Sequence, residues 1–171
     1  MQLASGRAFY PLDPRPEEIF IEDIAAALSK LCRYGGHCHT FYSVAEHSVL
    51  IAEKAPPGMK LAALLHDATE GYVSDVIRPI KPYLTNYVEI EADLAEAIGT
   101  RFGVKLHPLP DEIKRLDNAI LADERDQAMM TPPRDWRLSE PALGVDLQFW
   151  TPTKAEYEFR AAFCRYGGHW S

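Results

Sequence analysis

Apolar residues recur at intervals of three and four along most of the chain, which predicts helices. From Ile21 the positions Ile21, Ile24, Ala25, Leu28, Leu31 and Cys32 fall on one helical face, and Gly35-Gly36 stops the pattern. Ser43-Val-Ala-Glu46 reads as a capping box, in which hydroxyl and carboxylate satisfy unpaired amides, so a second helix starts at Ser43. Met59 to Ala68 is apolar nearly all round, the pattern of a helix buried on every side. Ile90, Leu94, Ala97 and Ile98 give a helix over roughly Tyr87 to Phe102, ended by Gly103. A long helix over Asp111 to about Met130 follows Pro108 and Pro110, and a last one covers Lys154 to about Arg165. No stretch alternates as a half-buried strand does. The expected fold class is an all-α, single-domain helical bundle over residues 1–171.

Two stretches stand outside the helices. Pro11-Leu-Asp-Pro-Arg-Pro16 has fixed backbone angles and few amide donors, so an extended surface path is expected. Thr131 to Thr151 carries prolines, Gly144, Trp136, Phe149 and Trp150, and is too long for a bare connector; a lid, an oligomer contact and a packed surface loop all fit it. Cys32-Arg-Tyr-Gly-Gly-His37 matches Cys164-Arg-Tyr-Gly-Gly-His169, but the flanks do not match, so no repeat is inferred.

Composition narrows the classes. With 171 residues and 47% apolar content the chain can bury one sizeable core. A net charge of -7 argues against a general nucleic-acid or anionic-membrane surface, so an anionic substrate must meet a local cluster of positive groups. The start of the chain lacks the apolar region of a signal peptide, and no apolar run approaches the roughly 20 residues that span a bilayer. A cytoplasmic protein is expected. Three cysteines without a CxxC pair point away from a disulfide framework, and Cys38 beside His39 lacks the paired spacing of structural zinc sites.

Ionisable residues at inward positions carry the chemistry. The buried helix ends in Leu64-Leu65-His66-Asp67, and a carboxylate there needs a cation, hydrogen bonds or exposure. Fraying with a solvated Asp67 is the alternative. His47 lies on the stripe Val44, His47, Ser48, Ile51, where a hydrogen-bonded core histidine is the plainer reading. In the long helix Ile113, Leu116, Asp117 and Ile120 share a face, while Asp123 and Asp126 fit a solvated one. Together these supply two imidazoles and two carboxylates that can converge in a bundle core. Mixed nitrogen and oxygen ligands suit one divalent transition ion, manganese, cobalt, iron, nickel or zinc. Glu70 lies four residues after His66 and three after Asp67, within one helical turn of both; an ordinary exposed glutamate is the alternative.

Ser43-Val-Ala-Glu-His47-Ser, Leu65-His66-Asp67-Ala-Thr-Glu70 and Lys114-Arg-Leu-Asp117, in that order, resemble the HD-domain phosphohydrolases. Within that superfamily the chain looks most like the compact 5'-deoxynucleotidases and the small phage dATP triphosphohydrolases, from about Leu12 to Gln127. The resemblance implies metal ligation by His47, His66, Asp67 and Asp117, with Glu70 and Asp75 as the acid-base and water-positioning carboxylates. It also matches Arg33 to a phosphate-binding arginine and Tyr34 to a neighbouring aromatic that is a tryptophan in the nucleotidases. His37, Arg78, Lys81 and Lys114 are further candidates for binding the phosphate, the lysines favouring a polyphosphate if they are not routine surface residues.

The expected activity is metal-dependent hydrolysis of a 2'-deoxynucleotide, either a monophosphate releasing phosphate or a triphosphate releasing triphosphate. A silent nucleotide- and metal-binding sensor, an alarmone hydrolase and a helical interaction module are the rivals. Related enzymes are oligomers, so a homo-oligomer is expected.

Overall fold

A computed structural model describes residues 1–169, and its helices follow the apolar stripes. They are α1 (Ile21–Leu28), α2 (Val44–Lys54), α3 (Lys60–Leu64), α4 (Glu70–Val73), α5 (Thr85–Phe102), α6 (Asp111–Ala128) and α7 (Pro152–Arg165), joined by short 3-10 turns. Pairing between extended segments is limited, among the described residues, to isolated bridges at Gln2–Ala8 and Cys32–Ser43. The chain is an all-α bundle. Its core takes Ile24 and Leu28 from α1, Val44 and Ile51 from α2, Leu94 and Ile98 from α5, Ile113 and Ile120 from α6, and Phe159 and Phe163 from α7. No helix among the described residues is long and apolar enough to cross a membrane.

Helix α2 is the axis of the bundle, packing against α1, α3, α6 and α7. Every residue from Val44 to Ala52 is buried, including Glu46, His47 and Ser48. Its start is fixed as expected on one side, since the Ser43 hydroxyl accepts the Glu46 amide at 3.1 Å. The reciprocal half of the capping box is missing because the Glu46 carboxylate is committed elsewhere.

Two predicted helices end early. The first stops at Leu28, where Ser29 Oγ and Lys30 Nζ both donate to the Ala26 carbonyl. Leu31 and Cys32 then run extended beside Tyr42 to Val44, with Arg33 N–H bonded to the Tyr42 carbonyl at 2.9 Å. The all-apolar helix stops at Leu64 rather than Ala68. From Leu65 to Tyr72 the backbone closes in successive three-residue turns, Ala68 to Leu65, Glu70 to Asp67 and Gly71 to Ala68. This tightening delivers His66, Asp67 and Glu70 to the site.

Segments without regular structure are pinned by buried carboxylates. Asp23 accepts the amide and hydroxyl of Ser5 at 2.7 and 2.9 Å and holds the first residues on α1. Residues 143–150 form a strap across the bundle. The Asp123 carboxylate accepts the amides of Leu143, Gly144 and Val145, and Glu46 accepts those of Gln148, Phe149 and Trp150. Val145 and Leu147 are buried beneath it. Asp123 is thus an inward anchor, only 7% exposed, and not on the solvated face that its neighbour Asp126 occupies. The stretch 131–151 is a packed loop over its second half.

The two Cys-Arg-Tyr-Gly-Gly-His segments adopt different structures. The first is a 3-10 turn with Tyr34 left-handed at φ 56°, whereas the second begins inside α7 and leaves it at Tyr166.

Candidate metal centre

Two helices, α2 and α6, and the turn after α3 bring the predicted ligands to one place. His47 is fully buried on α2, and its Nδ1 lies 2.6 Å from Glu124 Oε1 on α6. Glu124 is held ionised, with a pKa of about 2, because burial is outweighed by Arg33, His47 and Tyr34. An ionised carboxylate only accepts, so His47 Nδ1 donates to it and Nε2 is the ring nitrogen left facing the site. His66 repeats the arrangement, with Nδ1 donating to the Ala63 carbonyl at 2.8 Å. Both Nε2 atoms are buried and without a hydrogen-bond partner.

Those two nitrogens face the same carboxylates. Asp67 Oδ2 lies 3.5 Å from His47 Nε2 and 3.2 Å from His66 Nε2. Asp117 Oδ1 lies 3.2 Å from His47 Nε2 and 3.9 Å from His66 Nε2. None of these contacts is aligned as a hydrogen bond, since both nitrogens stay unpartnered. Ligand atoms of His47, His66 and Asp67 all fall within 4.8 Å of one another. With metal–ligand bonds of about 2.1 Å, neighbouring ligand atoms stand about 3 Å apart and opposite ones about 4.2 Å. The spacing, the mixed donor set and the two rings held through Nδ1 with Nε2 facing the site therefore fit a divalent transition ion.

Charge is frustrated around this point. Burial opposes a charge on His66, but Asp67 and Asp117 outweigh it and raise its pKa well above the ordinary histidine value. Burial likewise opposes ionisation of Asp67 and Asp117, yet the imidazoles lower both, Asp67 to about 2. Glu70 goes the other way. Burial, Asp67 and Asp75 push its carboxyl well above the carboxylate range, and its Oε2 is buried with no partner. Asp75, half-buried beyond the left-handed Ser74, reaches the group through that repulsion.

The basic candidates divide. Arg33 is at the site, its Nη1 3.6 Å from Asp67 and its Nη2 3.2 Å from Glu124. The Tyr34 hydroxyl donates a short hydrogen bond to Glu124, and Arg78, largely exposed, lies 3.5 Å from Asp117. Lys81 instead pairs with Glu91 of α5 at 2.7 Å, and Lys114 with Asp111 one turn earlier on its own helix. His37 is exposed at the end of its 3-10 turn.

Glu124 is the residue that sequence reasoning missed. The stripe Ile113, Leu116, Asp117, Ile120 continues four residues further to it, so the same periodicity placed a second carboxylate on the inward face. Trp136, from the loop, packs its ring 5.8 Å from that of Tyr34.

No family model matches the chain. It is 39% identical over 122 residues to the uncharacterized protein YfdR of Escherichia coli (strain K12), a match covering 71% of this chain and 67% of YfdR. The chain belongs to the YfdR family. An uncharacterized protein of Rhodobacter capsulatus is 44% identical over 124 residues, covering 67% of this chain and 63% of that protein. The matches thus span 63% to 67% of the length of these curated relatives.

Proposed function

We propose that the chain is a metal-dependent phosphohydrolase of 2'-deoxynucleotides, of the HD-domain kind, releasing phosphate from a 5'-monophosphate. The observation that carries the reading is the pair of buried imidazoles, His47 and His66. Each has Nδ1 hydrogen-bonded and Nε2 unpartnered, facing Asp67 and Asp117. A cation held by these four supplies Lewis acidity, polarising a phosphoryl oxygen and making water more acidic.

The chain's own groups do the rest. Arg33 is braced beside Asp67, where its guanidinium meets a phosphoryl oxygen, and Arg78 approaches from the solvent side. Glu70 is the proton carrier. Burial, Asp67 and Asp75 hold its carboxyl well above the carboxylate range, and positive charge entering the site lowers its pKa, so it can accept a proton from attacking water. Asp75 keeps Glu70 proton-affine and receives the second hydrogen bond of that water. The proton then passes to the departing 5'-oxygen as the phosphorus–oxygen bond breaks.

A triphosphate substrate, released as nucleoside and triphosphate, uses the same ligands. It is the weaker reading because Lys81 and Lys114, the groups expected to serve a polyphosphate, are engaged by Glu91 and Asp111. The test is phosphate release from deoxy and ribo mono- and triphosphates with manganese, cobalt, zinc, iron or nickel. Free phosphate from a deoxymonophosphate is expected. Triphosphate as product selects the second reading, and binding without turnover selects a sensor.

A further inference from the structure

Glu124 has no part in the ligand set, yet three groups of the site, His47, Arg33 and Tyr34, donate to it. Its carboxylate is completely buried on α6. Oxygen Oε1 accepts from His47 Nδ1 at 2.6 Å, while Oε2 accepts from Arg33 Nη2 at 3.2 Å and from the Tyr34 hydroxyl. We propose that Glu124 is a positioning residue joining the cation site to the anion site: one oxygen holds His47 for a divalent metal, the other holds Arg33 and Tyr34 for a phosphoryl group. The inference rests on the metal-dependent hydrolase reading above and adds the residue through which its two binding sites act on each other.

The geometry gives each oxygen a separate task. Accepting the Nδ1 proton fixes the His47 ring and makes Nε2 a stronger donor to a metal. On the other side, Arg33 is braced at both ends of its fork, Nη1 toward Asp67 and Nη2 on Glu124, and its Nε remains buried without a partner. Tyr34 is left-handed at φ 56° and ψ 28°, a conformation uncommon for a residue with a side chain, and its hydroxyl bond to Glu124 holds it there. Trp136 packs on the same ring from the loop. A buried carboxylate with three such partners behaves as a network, so a change at one partner is felt at the others. Loss of the Tyr34 hydroxyl, which touches no proposed ligand, should therefore register at the metal.

The experiment titrates Co²⁺ into the metal-stripped full chain, its Glu124→Gln variant and its Tyr34→Phe variant, following calorimetry and the visible cobalt spectrum. Inorganic phosphate is then titrated into the cobalt-loaded proteins. Glu124→Gln is expected to bind Co²⁺ about 10–100-fold more weakly with an altered spectrum. Tyr34→Phe is expected to lose at least about threefold in the same direction, and both variants to bind phosphate more weakly. A lowered melting temperature with parental cobalt affinity and spectrum means that Glu124 serves the fold alone, and overturns the proposal. If Glu124→Gln does not fold, Tyr34→Phe decides, with parental cobalt binding as the overturning result. Absence of cobalt binding in the parent removes the metal reading and this inference with it. Parental binding matched by both variants removes this inference alone.

Discussion

Glu70 is the residue where burial and two neighbouring acids all oppose ionisation, and this makes it separable from the ligands by experiment. Glu70→Gln keeps the shape and removes the proton-accepting oxygen. Single-turnover rates are expected to fall by about 10²–10⁴, with cobalt affinity by calorimetry close to the parent's. Parental rates would dismiss Glu70 as the proton carrier. His66 makes a second prediction. Because Asp67 and Asp117 outweigh burial and keep its imidazole protonated, metal uptake must expel that proton. Affinity for manganese or cobalt should rise between about pH 6 and about pH 8, and the heat of binding should depend on the buffer's ionisation enthalpy. Affinity that ignores pH over that range would exclude a protonated His66. At this scale helical period marks His47 and Asp117 and runs on to Glu124, which the sequence analysis does not single out, while a surface lysine and a site lysine look alike until partners are known. Glu91 and Asp111 are those partners.

At the scale of elements, two buried carboxylates do the work that regular structure does elsewhere. Asp123 and Glu46 each take three consecutive strap amides, so the strap is held by α6 and α2 rather than by its own backbone pairing. Asp123→Ala strands three amide donors, and a loss of about 2–4 kcal/mol is expected, with some rehydration as the strap lifts. Hydrogen exchange should accelerate at residues 143–145 first; unchanged protection there would mean that Val145 and Leu147 alone secure the strap. A rank order of tertiary anchors of this kind is invisible to periodicity. The capping box at Ser43 predicted the helix start but not that its glutamate would serve the strap. The end of α3 at Leu64 escapes the pattern for a related reason. An all-apolar run registers burial, not where successive three-residue turns replace the α-helical ladder.

For the whole molecule, the charges buried at the site predict a pH dependence of stability of defined direction, and the metal reading predicts how a bound cation would change it. Glu124 and Asp67 have folded pKa values of about 2, so the stability they contribute is present above about pH 4 and is lost as pH falls toward 2. His66 and Glu70 are raised, so in the metal-free chain their contributions decline as pH rises through those raised values. Thermal unfolding with and without cobalt should give a metal-free optimum on the acid side of neutrality and a metal-induced gain that widens with pH. At a cobalt concentration about 100 times Kd the gain is about 2.7 kcal/mol. A gain independent of pH would place metal binding away from His66.

Hydrophobic periodicity was enough for the all-α class and for α5, α6 and α7, with ends within about two residues, because burial of one face is encoded locally every three or four residues. It also marked His47, Asp67 and Asp117 as polar groups in apolar company. The convergence of those groups, the two unpartnered Nε2 atoms and the opposite displacements of Asp67 and Glu70 came only with the tertiary structure. Each depends on atoms from different helices meeting at a few ångströms, where burial and neighbouring charge decide which groups hold protons.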